Sequence, residues 1–283
     1  MNEWDSTSLA AVIPEKWSKD VLAAMYSDNG VIGSVLSKLD SDKGRGDIQH
    51  IPVAPRFSTN AVGSDGSITV QNLTTTDNSV TMNVWREVSI GVIDRDSWQS
   101  VYGGYEGLLA QYKDGFILRL KEFVENDLLS LWSSVTTNAT PTAPQEMNAS
   151  LLRLGQQQLD EGRVLKEDRT LVLAPKPFWA LMGDQVLSNI AAVGGQSVLR
   201  EGSSAIPKVY GVKLIESQEV ASNSGLYRNL IYQKQAIALA MSKTFSFQRL
   251  DKTDLTENFV ADVLYGRGVI RETFASVINT KTV

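Results

Sequence analysis

Apolar positions along the chain fall into blocks with different periods. Val80, Met82, Val84, Val88, Ile90 and Val92 alternate with polar neighbours, the period-two signature of a strand with one buried face. Ile48, Ile51 and Val53 lie among polar residues in Asp47 to Pro55, a segment that carries two prolines. Proline cannot donate to a ladder, so this arm is expected at an edge or in a free-standing ribbon. Residues 47–93 therefore read as a long hairpin. Its middle, Ser58 to Ser79, is rich in Gly, Ser, Thr and Asn, with Gly63 and Gly66 marking turns. Buried, such a segment would strand its backbone polar groups, so it is expected to project into solvent or onto a partner.

The period then changes. From Trp98, Tyr102 and Tyr105 through Phe116 and Leu120 to Leu128 and Leu131, apolar side chains recur every three or four positions. That spacing predicts a helix over residues 96–135, capped by Asp96 or Ser97. Its length would be about 55 Å, or somewhat less with Gly103-Gly104 outside it. Thr136 to Pro144 follows as a linker. An α/β region comes next: a helix over Asn148–Leu159, a strand over Arg169–Ala174 ended by Pro175 and Pro177, and a helix over Phe178–Ile190. A loop over Ala191–Ser204, a strand over Val209–Ile215 and a strand-rich stretch over Asn229–Met241 complete it. Phe259–Tyr265 and Val269–Ile278 alternate again, with Gly266-Arg267-Gly268 read as the turn between them. Residues 1–46 hold an amphipathic stretch after Pro14, an apolar run Val31–Leu36 and a glycine-bearing polar turn, Asp40–Gly46.

Composition narrows the function classes. Of 283 residues, 42% are hydrophobic and 21% charged, enough apolar matter for a sizeable core. The net charge is −5 and the basic residues are scattered, which argues against a surface that grips phosphates. With no cysteine, disulfides, thiolate catalysis and iron–sulfur clusters are excluded. No apolar run of about 18 residues exists for a membrane-spanning helix, and Met1 to Asp5 does not resemble a signal peptide.

The candidate chemistry is sparse. His50 is the one histidine, so a metal site built on two histidines is impossible, and a surface or interface role fits a lone His on a strand. No Gly-Lys dipeptide occurs, which removes the phosphate-binding P-loop. Asp40, Asp42 and Asp47 lack the third ligand and the closing Glu of a calcium loop. No catalytic, cofactor-binding or metal site is assigned.

The order of parts carries more than any single residue. Short arm, long hairpin, long helix, α/β lobe and returning strands resemble the major capsid proteins of tailed bacteriophages, the fold first known from bacteriophage Hong Kong 97. Particular stretches add to this: Ile13-Pro14-Glu15-Lys16-Trp17 through Leu22, Gly46-Asp47-Ile48-Gln49-His50-Ile51-Pro52, Thr170 to Pro175, Pro207 to Val212 with Ile215-Glu216-Ser217, and Tyr265-Gly266-Arg267-Gly268 through Phe274. The resemblance implies an α+β fold. Its parts would be an N-terminal arm over 1–46, the E-loop hairpin over 47–93, a spine helix over 94–138, an axial domain over 139–248 and a peripheral return over 249–283.

The implied function is structural and not enzymatic, with no cofactor. Pentamers and hexamers of the chain would form the icosahedral head shell of a virion, assembled in the host cytoplasm, around double-stranded DNA bound without sequence specificity. The arm begins almost at once, so a separate scaffolding protein or a trimmed chain is expected; portal and decoration proteins are further partners, and no membrane is involved. Intersubunit contact candidates are Arg56, Asn60, Asp65 and Asn78 on the hairpin, and Gly194 and Gly195 in the loop expected at the symmetry axes. Two alternatives are an encapsulin-like nanocompartment shell and an unrelated soluble enzyme with a protruding hairpin.

Overall fold

A computed structural model describes residues 30–39, 48–53, 58–64, 66–68, 70, 76–93, 105–135, 139–184, 208–253 and 256–282. The first described element is a single helical turn, α1 (Val31–Ser34), leading into strand β1 (Leu36–Leu39). The hairpin arms are β2 (Ile48–Val53) and β3 (Thr76–Thr81), and β4 (Val84–Ile93) follows. Helix α2 spans Tyr105–Leu129 and runs into a 3-10 turn at Ser130–Ser134.

The α/β lobe contains β5 (Ala139–Gln145), α3 (Ala149–Glu161), β6 (Arg169–Leu173), α4 (Pro175–Met182), β7 (Lys208–Val209), β8 (Val212–Glu216) and β9 (Ser222–Asn223). Long strands close the chain: β10 (Leu226–Gln233), β11 (Ile237–Thr253), β12 (Thr256–Val269) and β13 (Ala275–Lys281).

Among the described residues these strands make three sheets. A four-stranded sheet runs β1-β11-β12-β4, with β1 parallel to β11 and the other pairs antiparallel. A seven-stranded sheet runs β5-β13-β10-β6-β8-β7, with β9 added beside β10. The third is the two-stranded ribbon β2-β3. The chain between residues 256 and 281 serves both larger sheets, β12 in the first and β13 in the second.

Helix α2 buries a stripe at i, i+4 spacing, Phe116, Leu120, Val124 and Leu128, while Leu118 and Arg119 face solvent. This stripe belongs to a core continuous across both lobes, which also takes in Val31 and Ile32 from α1 and Leu171, Ile231 and Ile278 from the large sheet. At 25 residues the helix is about 37 Å long. Of the pattern over 96–135, residues 96–104, with the proposed caps Asp96 and Ser97, lie outside the described residues, and at the other end the α-helix gives way to the 3-10 turn after Leu129.

Three sequence expectations are corrected. The linker expected over Thr136 to Pro144 is, from residue 139 onward, the edge strand β5 (Ala139–Gln145), parallel to β13, while residues 136–138 lie outside the described residues. Pro141 and Pro144 fall where its register with β13 shifts between Thr140 and Gln145, a place where a ladder donor is not required. Gly266-Arg267-Gly268 is not a turn but lies within β12, paired to β11 throughout. The helix expected over 178–190 begins earlier, at Pro175, and ends at Met182. Pro175 suits the first helical position, where an N–H has no intrahelical partner.

Candidate assembly interface

The ribbon follows its alternation. Gln49, Ile51 and Val53 share one face of β2–β3 with Asn78 and Val80, while Ile48, His50, Pro52, Asp77 and Ser79 face solvent. On the solvent face His50 Nδ1 and Asp77 Oδ2 lie 2.6 Å apart, a diagonal cross-strand pair. His50 is thus an exposed surface residue, as the sequence reading expected.

The inner face of the ribbon root is seated on the four-stranded sheet. Ile51, Val80 and Met82 form a satellite core with Ala238, Ala240 and Ile270. Across β11 and β12, Ala238 pairs with Gly268 and Ala240 with Gly266, so the seat is a patch of four small residues. Alternate residues of the same strands, among them Leu239, Met241 and Tyr265, join the main core. On that side the Asp127 carboxylate of α2 accepts from the Tyr265 hydroxyl at 2.8 Å and pairs with Arg267. Burial first, and then the hydrogen bond to Asp127, hold the Tyr265 hydroxyl well above the ordinary phenol range.

Beyond the ribbon, residues 58–64, 66–68 and 70 are all exposed. A turn closes here, with Gly66 N donating to Gly63 O at 2.9 Å and Gly63 N to Ser67 O at 3.0 Å. Gly66 has φ +80°, a conformation that glycine adopts without strain. Three β-branched apolar side chains stand out from this polar segment: Val62 is 65% exposed, Ile68 75% and Val70 83%. On the adjoining edge strand β4, Trp85 is 69% exposed, its indole N–H held by Asp262 Oδ2 at 2.9 Å. Tryptophan is among the side chains enriched at interface hot spots.

Of the predicted contact residues, Asn60 lies on the exposed loop. Asn78 sits in the ribbon and turns inward, its amide donating to Ile270 O at 2.7 Å. Arg56, Asp65, Gly194 and Gly195 lie outside the described residues. Sequence reasoning passed over Val62, Ile68, Val70 and Trp85. Isolated β-branched residues in a Gly/Ser/Thr/Asn stretch are the signal that marks the first three. Among the described residues no group of three or more His, Asp or Glu side chains is placed to hold a metal ion. No helix among them is long and apolar enough to cross a membrane.

No protein-family model matches the sequence, and no curated protein is similar to it. Solved structures are similar in fold. A chain from Mycobacterium phage Che8 matches with a TM-score of 0.66 and 17% identity, over 83% of this chain and 85% of that one. The capsid structure of Cyanophage P-SCSP1u matches with 0.66 and 14%, over 88% and 87%. The SrpI encapsulin complex of Synechococcus elongatus matches with 0.62 and 12%, over 93% and 96%. The chain has the Hong Kong 97-like fold of tailed-phage capsid proteins.

Proposed function

We propose that this chain is the major capsid protein of a tailed bacteriophage, a structural subunit that self-assembles into the icosahedral head shell and encloses double-stranded DNA. The observation that carries the reading is a capsid fold matched over more than four-fifths of both chains. The hairpin supports it: three apolar side chains on an exposed loop find no cover within the described chain, and a neighbouring copy supplies it. A closed point group repeats each such contact around the shell, so modest contacts sum to a stable wall. In this reading the hairpin crosses to a neighbour through the Val62–Val70 loop, with Arg56, Asn60 and Asp65 beside it. The loop bearing Gly194 and Gly195 lines the five- and six-fold axes. Scaffolding, portal and decoration proteins are its assembly partners, and the virion is its place.

Multi-angle light scattering on a sizing column, with negative-stain images, tests the proposal. Closed particles, or rings of five and six subunits, are expected. A clean monomer that persists on co-expression with candidate scaffolds counts against it. A second reading, an encapsulin-like shell with protein cargo, draws on the match that spans nearly the whole of both chains. Particle contents separate the two: packaged nucleic acid supports the phage head, and enclosed protein supports the compartment.

A further inference from the structure

The seat under the hairpin is shaped for close approach. A Cβ on Gly266 would lie 2.2 Å from the Thr81 carbonyl oxygen and 2.9 Å from Met82 Cα. These are backbone atoms of the chain just where it leaves β3, so no side-chain rotation relieves the clash. At Gly268 a Cβ would meet Val80 Cγ2 at 3.4 Å, which is ordinary contact. The approach is therefore tightest at one point, opposite the last residue of the ribbon. Farther out, the Asn78 amide ties β3 to Ile270 O at 2.7 Å, beyond the end of β12. Ile51 and Val80 fill the space between these two points. Gly266, Asn78 and the satellite core thus hold the ribbon root at separated places, which fixes a direction as well as a position.

We propose that this small-residue seat sets the angle at which the hairpin leaves the subunit, making Gly266 and Asn78 positioning residues for assembly. This rests on the shell reading, but the root geometry can be measured without a shell. Adding one methyl at Gly266 forces Thr81 back by more than about 1 Å to reach van der Waals separation. Along the six-pair ribbon that displacement grows with distance from the seat. Subunit stability resides mainly in the large core on the other side of the sheet, so hairpin direction and stability separate.

The cysteine-free sequence suits spin labelling: Ser64→Cys on the loop and Leu118→Cys on the exposed face of α2 give one loop-to-helix distance in the unassembled subunit. A single narrow distribution is expected in the otherwise unaltered chain. With Gly266→Ala the distribution shifts by several ångströms, and with Asn78→Ala it broadens. Both variants are expected to give at least tenfold fewer closed particles, or particles of altered diameter, with thermal midpoints within a few degrees of the parent. Should Gly266→Ala fail to fold, Asn78→Ala, which removes one hydrogen bond and little volume, carries the test. Unchanged distances, or particles of parental size and yield from a displaced hairpin, overturn the proposal. If the unaltered chain never forms particles, the shell reading fails while the distance measurement still decides whether the seat fixes the root.

Discussion

Asn229 is fully buried, yet its amide is well satisfied: Oδ1 accepts from Ala174 N at 3.1 Å, and Nδ2 donates to Ile278 O at 3.1 Å and Thr280 Oγ1 at 2.8 Å. One side chain thereby ties β10 to β13 and to the start of α4. Arg169 does comparable work at the α3–β6 turn, donating to Asp160, Val164 O and Leu165 O. The two buried tyrosines give the lobes a pH dependence. Tyr232 shares a 2.5 Å hydrogen bond with Ser34, and burial raises its hydroxyl far above the phenol range, as it does that of Tyr265. Unfolded tyrosines lose their proton above pH about 10, whereas these keep it in the fold. The native state then binds more protons, so stability is complete below pH 10 and falls above it. The slope is roughly 1.4 kcal/mol per pH unit for each tyrosine. Tyr265→Phe forfeits the hydrogen bond to Asp127, so at pH 7 it should be less stable by about 2 kcal/mol. Its deficit should shrink between pH 10 and 11, as the parent alone loses the Tyr265 contribution. Urea midpoints from pH 7 to 11 check this; parallel alkaline limbs for the two proteins would contradict it.

At the scale of elements, α2 is held by the core and by α1, which shares that core. Its Phe116–Leu128 stripe faces the core, and α1 lies against it, with Ile32 fully enclosed and Ser34 bonded to Tyr232. Gly30 approaches the side chains of Glu125 and Lys121 on the same helix. A short arm segment is thus part of the folded body, and trimming Ile32 should behave as a core deletion. Ile32→Ala is expected to cost about 3 kcal/mol, and Leu118→Ala, on the exposed face, less than about 0.5 kcal/mol. Equilibrium urea unfolding measures both, and near-equal losses would mean that α1 is not docked. These elements also show what a linear sequence discloses. The stripe on α2 and the alternation in β4 follow from local periodicity, which is why both were legible. The strand at Ala139–Gln145 was not, because its prolines read as a linker and only its place beside β13 makes it a strand. Gly266 and Gly268 were misread for a related reason. A glycine in a turn and a glycine beneath a crossing backbone look alike until the crossing segment, Thr81 and Met82 over Gly266, is in place. The exposed loop was legible as polar and projecting; its three apolar side chains were overlooked because periodicity finds faces, and single residues have none.

Across the whole molecule, the chain between Thr256 and Lys281 passes from the four-stranded to the seven-stranded sheet, and one core runs beneath both. Under the proposed function, folding stability and assembly draw on different surfaces. The core holds the subunit together, while Val62, Ile68 and Val70 contribute nothing to it because they lie outside both apolar clusters. Covering them in a neighbour's surface is worth about 1.5–3 kcal/mol for each fully buried side chain. Since about 1.4 kcal/mol is tenfold in an equilibrium constant, replacing all three by serine should raise the concentration needed for assembly by well over tenfold. The same replacement should leave the thermal midpoint of the isolated subunit nearly unchanged, because these side chains are mostly exposed in the folded subunit and belong to neither core cluster. Light scattering across a concentration series, beside thermal melts of the monomer, reads both quantities. Assembly at the parental concentration would show that the loop is not the adhesive element and would move the search to Trp85. A lowered midpoint would show that the loop folds back onto its own subunit.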